Sequence, residues 1–320
     1  MPSIQSTANS TSLPTNFVIP LSQVSLLQAS GEDRLKYLQG QLTQDLERLT
    51  TDKAMYACHC DAKGKAWALY QVFSQGEEMF MLSDSEAIEK SLPELKKYAV
   101  FSKVALTKTD LTWFGIVGPI PEAWLTKQGC QLPQTHLGIN CTDRSVIIRQ
   151  DSPDIRYIVG LHKPLSTQIV EALSDHLYTE NLWQMLDIQA GLPKLNAQTS
   201  AEFVPQMVNM QALDAISFTK GCYMGQETVA RTRYLGKNKR AAYILHARHA
   251  TNMAPGDALE VQLEENWRRS GTVLSCATLS EETWLLAVLP NDTQTGTLLR
   301  SKQQPDVLFE VLPLPYSLEN

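Results

Sequence analysis

The apolar positions of the chain change their period repeatedly, and each change marks a change of element. Residues 1–16 are rich in Ser, Thr, Asn and Pro without periodicity, which predicts a flexible arm, and the fold opens near Phe17 with the apolar stretch 18–27. Across residues 31–49, Leu35, Leu38, Leu42, Leu46 and Leu49 recur at steps of three and four, the spacing of one helix face, with Gly40 as a point of division. Residues 67–73 and 79–82 predict strands. Ser83-Asp84-Ser85-Glu86 reads as a capping box opening a helix toward Tyr98, which Pro93 should bend or divide.

Between residues 100 and 160 the pattern turns to short β-type runs, at 100–106, 111–117, 145–149 and 155–160, separated by connections containing Gly and Pro. Leu165, Ile169, Leu173 and Leu177 then fall on one helix face at steps of four. A second helix through Trp183, Leu186 and Ala190 should stop at Gly191, with Pro193 just beyond. These alternations predict an α+β body over residues 17–234. The last part, 235–320, differs: runs at 243–249, 258–263, 271–277, 284–289 and 307–312 have the spacing of antiparallel meanders, which predicts a C-terminal β-barrel. The polar link Leu235-Gly236-Lys237-Asn238 is the expected boundary.

Composition narrows the class. With 320 residues, 43% hydrophobic and 19% charged, the chain is a folded globular protein of two or three units, not a disordered or fibrous one. About 18 apolar residues in a row, the length of a membrane span, occur nowhere. A net charge of −6 excludes a general field for nucleic acid or anionic membrane, so any nucleic-acid contact must be local. Residues 1–15 carry no Lys, Arg or apolar core of a targeting signal, and the six cysteines lack scaffold spacing; reduced thiols and a cytoplasmic setting are expected.

Candidate chemistry concentrates in Lys220-Gly221-Cys222-Tyr223-Met224-Gly225-Gln226-Glu227. The two glycines allow tight turns, and a thiol just before a helix over 226–234 would feel the positive helix end, with Lys220 as a further cation. Both effects favour the thiolate, so Cys222 is the side chain singled out; a small buried hydrophobe in a Gly-rich turn is the other reading of the same residues. Cys58-His59-Cys60 places two thiols on one face of a strand, too few ligands for a metal without help, and reads first as strand filling. Cys130, Cys141 and Cys276 have no ligand-like spacing. Neither a phosphate loop nor a dinucleotide fingerprint occurs.

The octapeptide is followed by Ala230-Arg231 and Gly236-Lys237-Asn238-Lys239-Arg240, and preceded by Phe203-Val204-Pro205-Gln206 and Asn209-Met210-Gln211-Ala212-Leu213. In this setting it closely resembles the YgfZ family of folate-binding, tRNA-modification and iron–sulfur-related proteins. So do Tyr37-Leu38-Gln39-Gly40-Gln41-Leu42-Thr43, His59-Cys60-Asp61-Ala62-Lys63-Gly64-Lys65, the stretch 95–104, Glu265-Asn266-Trp267-Arg268-Arg269 and Pro313-Leu314-Pro315-Tyr316-Ser317-Leu318. The resemblance implies the fold of the glycine-cleavage aminomethyltransferases: three subdomains in a ring, a tetrahydrofolate site in a central channel and a terminal β-barrel. It implies Cys222 as the functional thiol, with Lys220, Gly221, Tyr223, Gly225, Gln226 and Glu227 around the channel. Trp183 matches a folate-contacting aromatic of relatives, and Arg231 is a further candidate for the folate; a second such aromatic falls near Val24 here.

The acid with which the aminomethyltransferases contact the folate amine has no counterpart in Gly64-Lys65-Ala66-Trp67-Ala68-Leu69. Loss of a positioned acid or base removes a factor of roughly 10²–10⁴ in rate and speaks against glycine cleavage. The reading implied is a tetrahydrofolate-binding protein that supports iron–sulfur enzymes or their assembly, and thereby tRNA thiolation, with no tightly held metal and no membrane partner. The alternative is a folate-dependent aminomethyl transferase acting on an unknown acceptor. The basic run Arg231, Arg233, Lys237, Lys239 and Arg240 suits a folate glutamate tail, a tRNA phosphate or an acidic partner, or else a solvated helix end.

Overall fold

In the computed structural model, which describes residues 4–234, 236 and 238–318, the chain builds two five-stranded sheets and a barrel. The first strand, β1 (Phe17–Pro20), and the second, β2 (Val24–Ser30), go to different sheets. Strand β2 joins β3 (Met55–Cys60), β4 (Ala66–Gln75), β5 (Glu78–Asp84) and β6 (Ala105–Lys108) in the order β3-β4-β5-β2-β6. Strand β1 joins β7 (Thr112–Val117), β8 (Ile139–Cys141), β9 (Ser145–Gln150) and β10 (Arg156–Leu161) in the order β1-β7-β10-β9-β8. In β4, Ala66, Ala68, Tyr70 and Val72 are buried while Trp67, Leu69 and Gln71 on the other face are partly exposed, the alternation of a sheet with one covered side. All six residues of β10 are buried, as befits a strand covered on both faces.

Among the described residues six α-helices connect and cover the sheets: α1 (Arg34–Gln41), α2 (Ser85–Ala99), α3 (Pro119–Lys127), α4 (Leu165–Ala172), α5 (Glu180–Gln189) and α6 (Gln226–Tyr234). None among the described residues is long and apolar enough to cross a membrane. Helix α1 is shorter than the leucine spacing predicts. It ends at Gln41, short of the last leucines, and Gly40 lies inside it rather than dividing it. Leu35 faces solvent, while Leu38, Leu42 and Leu46 are buried on either side of the break. The stop is tertiary: Lys220 Nζ donates to the carbonyls of Gln39, Leu42 and Gln44 at 2.7–2.9 Å, so the last turn satisfies its acceptors without continuing. Helix α2 starts one residue later than a Ser83 cap would set it, because Asp84 accepts from Glu86 N at 2.9 Å, and it runs through Pro93 to Ala99. Its buried stripe of Ala87, Ile88, Ser91 and Leu95 holds it together on both sides of that proline. Helix α3, with Pro119 in its first turn, is absent from the periodicity reading.

The last strands close a barrel in the order β11-β14-β13-β12-β15-β16: β11 (Arg240–Ala247), β12 (Ala258–Leu263), β13 (Asn266–Thr278), β14 (Thr283–Pro290), β15 (Leu298–Ser301) and β16 (Leu308–Leu312). Leu285, Ala287 and Leu289 of β14 fill its interior with Phe309 and Val311. On the outer wall, Leu286 and Val288 join Ile244 in the core of the body, which is why β14 reads as an unbroken apolar run. Asn209, at φ +62°, fixes the join: Nδ2 donates to Ala242 O at 2.7 Å and Oδ1 accepts from Ala242 N at 3.0 Å. The segment before β1 is also engaged, with Gln5 N donating to Leu177 O at 2.9 Å and Ser10 N to Glu282 Oε1 at 2.6 Å.

Candidate functional site

Three of the motifs, 37–43, 59–65 and 220–227, meet at the start of α6. Gly225, at φ +81°, takes a conformation that suits glycine, and a Cβ there would sit 2.6 Å from Asp61 O and 2.8 Å from Gly64 Cα. Gly64, at φ +77°, meets Thr228 in the same way, so the β3–β4 turn and α6 approach backbone to backbone. Met224 N donates to Gly40 O at 3.0 Å and thereby ties the loop to α1. Thr43 spans the remainder: its hydroxyl donates to Ala215 O at 2.6 Å and accepts from Cys58 N at 2.8 Å.

On this base Cys222 is exposed, which decides against the buried-hydrophobe reading. Cys58, Cys60 and Cys130 are buried, and Cys141 and Cys276 are half-buried. Burial pushes the Cys58 thiol up to about 12 and Cys141 and Cys276 up to about 11, and burial together with the neighbouring Cys58 and Asp61 holds Cys60 well above its ordinary value. Lys220 does not serve the thiol as expected from its place in the sequence. Its ammonium turns to the α1 carbonyls and lies 5.4 Å from the Tyr223 ring centre, and burial lowers it to about 8. Tyr223 is buried beneath it; Gln226 Nε2 reaches Gly221 O at 3.5 Å; Glu227 pairs with Arg231 at 2.7 Å on the exposed side of α6. Among the described residues no three His, Cys, Asp or Glu side chains gather as a metal site.

Trp183 belongs to a different place, a cleft of about 820 Å³ counting its open mouth, where α5 meets both sheets. Val24, Leu69, Ile158 and Leu213 supply apolar walls. Asp187, one turn after Trp183 and buried, forms ion pairs with Arg156 Nη1 at 2.7 Å and Lys194 Nζ at 2.6 Å. Burial alone would raise this carboxyl, but Lys194 and Arg156 outweigh it and hold it below its ordinary value. The Trp183 ring is 1% exposed. A Cβ on Gly115 would lie 2.2–2.6 Å from its ring atoms, and the Arg156 guanidinium stands 4.5 Å over its centre, so the tryptophan offers the cleft an edge and not an open face. On the cleft's lining, Gln150 Oε1 is buried without a hydrogen-bond partner among the described residues, and the buried Tyr56 and Gln71 side chains interact with each other.

The tRNA-modifying protein YgfZ of Yersinia enterocolitica serotype O:8 / biotype 1B is 41% identical over 317 residues, which cover 96% of each chain. The chain belongs to the YgfZ family. The tRNA-modifying protein YgfZ of Yersinia pseudotuberculosis serotype IB is likewise 41% identical, over 94% of this chain and 92% of its own. Residues 238–304 match the family model described as YgfZ, beta-barrel domain. The glycine cleavage system aminomethyltransferase T of Bartonella henselae shares the fold, with a TM-score of 0.73 at 15% identity over 96% of this chain and 87% of that one.

In this YgfZ-family chain, Val24 and Trp183, which the family resemblance singled out together, share the cleft; Asp187, Arg156 and Lys194 were not singled out by any reading of the sequence. Asp187 left a trace, as the one acid within the apolar run of α5, but its partners lie on β10 and beyond Gly191 and share no spacing with it. Arg231 stands on α6, away from the cleft's lining, and Lys237 of the basic run lies outside the described residues.

Proposed function

We propose that the cleft binds tetrahydrofolate or a derivative, and that the protein, through Cys222, supports iron–sulfur enzymes in the cytoplasm, among them those that thiolate tRNA. The relatives' description as tRNA-modifying and the aminomethyltransferase fold favour this reading. The observation that carries it is an apolar-walled cleft lined by buried polar side chains with hydrogen-bonding capacity to spare, foremost Gln150, whose Oε1 has no partner among the described residues, since such an atom costs free energy unless a ligand completes it. Gln71 Oε1 and Gln150 Oε1 would accept from a pterin's ring N–H and amino groups, with the Tyr56 hydroxyl as a donor. Bound folate would supply a carrier for one-carbon units; the protein's part is to orient it and exclude water. Asp187, held as a carboxylate by two cations, is a poor general acid, which agrees with binding and maintenance rather than glycine cleavage.

Calorimetric titration with tetrahydrofolate tests the ligand. Binding is expected, and Gln71→Leu or Gln150→Leu should weaken it by about 2- to 10-fold, the worth of one hydrogen bond each. Gln150→Leu should leave thermal stability unchanged, because it removes an acceptor that has no partner among the described residues, whereas Gln71→Leu should cost a little because the Gln71 side chain also bonds Tyr56. Absence of heat with the parent protein would rule out folate as the ligand.

A further inference from the structure

We propose that the C-terminal end of α6 and the adjoining outer wall of the barrel form a binding surface for single-stranded RNA, built on two arginine–aromatic stacks. This takes up the tRNA-modification half of the proposed function and is independent of the folate half. The first stack is Arg233, whose guanidinium lies 4.0 Å over the Phe218 ring and 5.9 Å from that of Tyr234; the two rings meet edge-on at 6.5 Å. Tyr234 is 68% exposed, so one aromatic face is open to a ligand. The second stack is Arg300, 4.2 Å over Trp267. Leu259 and Leu299 point into the barrel, so Arg300 and Glu260 point out, and pairing of Glu260 with Arg269 puts Arg269 and Trp267 on the same outer face.

Hydrogen bonds and shared walls connect the two stacks. Phe218 and Arg233 share an open cleft with Asn238 and Asn291, Asn238 Oδ1 accepts from Arg240 N, and Arg240 Nη1 donates to Ser270 O at 2.8 Å, beside Arg269. The cleft is also lined by Gln206, which is 4% exposed and whose Oε1 has no hydrogen-bond partner among the described residues.

Charge and chemistry choose the occupant. Glu227 and Glu260 pair with Arg231 and Arg300. Arg233, Lys239, Arg240 and Arg269 have no ion-pair partner among the described residues and outnumber the unpaired acids beside them, Asp214 of the cleft and Asp292 next to Asn291, which leaves a local excess of positive charge on a chain of net charge −6. Cations of this number suit phosphates or an acidic peptide alike. Aromatic and guanidinium faces beside amide groups suit bases, which stack and carry hydrogen-bonding edges, and an acidic peptide has no use for them. Helix α6 is nine residues, about 13 Å at the ordinary helical rise, so RNA held at its far end lies within reach of the Cys222 loop at its start.

The test is fluorescence anisotropy of the full chain with a labelled anticodon stem-loop RNA at about 50 and about 200 mM salt, with a duplex RNA of equal length and polyglutamate of equal charge as competitors. The expected result is salt-sensitive binding that neither competitor matches. Tyr234→Ala and Trp267→Ala should each weaken it roughly 5- to 150-fold, while Tyr234→Phe and Trp267→Phe, which keep an aromatic face, should not. Arg240→Glu with Arg269→Glu should lower the slope of log affinity on log salt by about 0.7 for each phosphate that is no longer neutralised. No binding at low salt, or equal displacement by duplex or by polyglutamate, overturns the proposal. Failure here with intact Cys222-dependent tRNA thiolation condemns this surface alone; RNA binding in a protein whose deletion leaves thiolated tRNA unchanged condemns the proposed function and spares the surface.

Discussion

At the scale of single residues, the six thiols are sorted by their surroundings. Cys222 is the exposed one, whereas burial raises Cys58, Cys60, Cys141 and Cys276 and holds them as inert thiols near neutral pH. Brief treatment with iodoacetamide at neutral pH should therefore add one label, located on Cys222 by peptide mass, and Cys222→Ala should take none in the same time. A second label arriving as fast would contradict this sorting. His59 makes an independent prediction. It is 1% exposed, its Nδ1 lies 2.8 Å from Ser91 Oγ, and burial lowers it from 6.5 to about 3. Between those values the unfolded chain binds a proton that the folded one does not, so stability is intact above pH 6.5 and falls as pH drops toward about 3. The slope due to this group is about 1.4 kcal/mol per pH unit. His59→Gln should flatten the acid side of the stability curve by that amount, and parallel curves for the two proteins would count against it. The sequence offered His59 as the odd member of a strand between two cysteines; that it is buried on its own side by α2 could not be read from the pattern, because Ser91 is 32 residues away.

At the scale of elements, the thiol loop depends on two turns touching. Gly225→Ala would place a Cβ against the Asp61 carbonyl and force a residue with a side chain to φ +81°. A loss of about 1–3 kcal/mol is expected from the strain. Gly221, three residues from Met224, has open space where a Cβ would stand, so Gly221→Ala should leave the thermal midpoint unchanged. Equal losses for the two variants, measured by thermal unfolding, would show that the approach of the β3–β4 turn to α6 matters less than the geometry says. The face of α5 was legible, and so were most barrel strands, whereas α4 ends at Ala172 and leaves Leu173 and Leu177 of its predicted face beyond the helix. The boundaries of α1 and the path of α2 through Pro93 were not legible. The first is set by an ammonium from residue 220 and the second by a buried stripe on both sides of the proline, and local propensity carries neither.

At the scale of the whole molecule, two sheets, α5 and the loop after Gly191 surround one cleft, and the barrel closes against the body through Asn209 and the outer wall of β14. The thiol loop is a separate place, built from α1, the β3–β4 turn and α6. The resemblance implied one channel for Cys222 and Trp183; in the folded chain Trp183 lines the cleft and residues 220–227 are not among its lining. Net charge likewise averages over arginines without an ion-pair partner among the described residues, Arg233 at the end of α6 and Arg240 and Arg269 on the barrel strands. The proposed function rests on Cys222, presented on this three-motif base, serving tRNA modification. Its most direct test measures thiolated tRNA in cells lacking the protein and complemented either with the parent chain or with Cys222→Ala, at matched expression. Restoration by the parent and not by the variant is expected; equal restoration by both would contradict the claim.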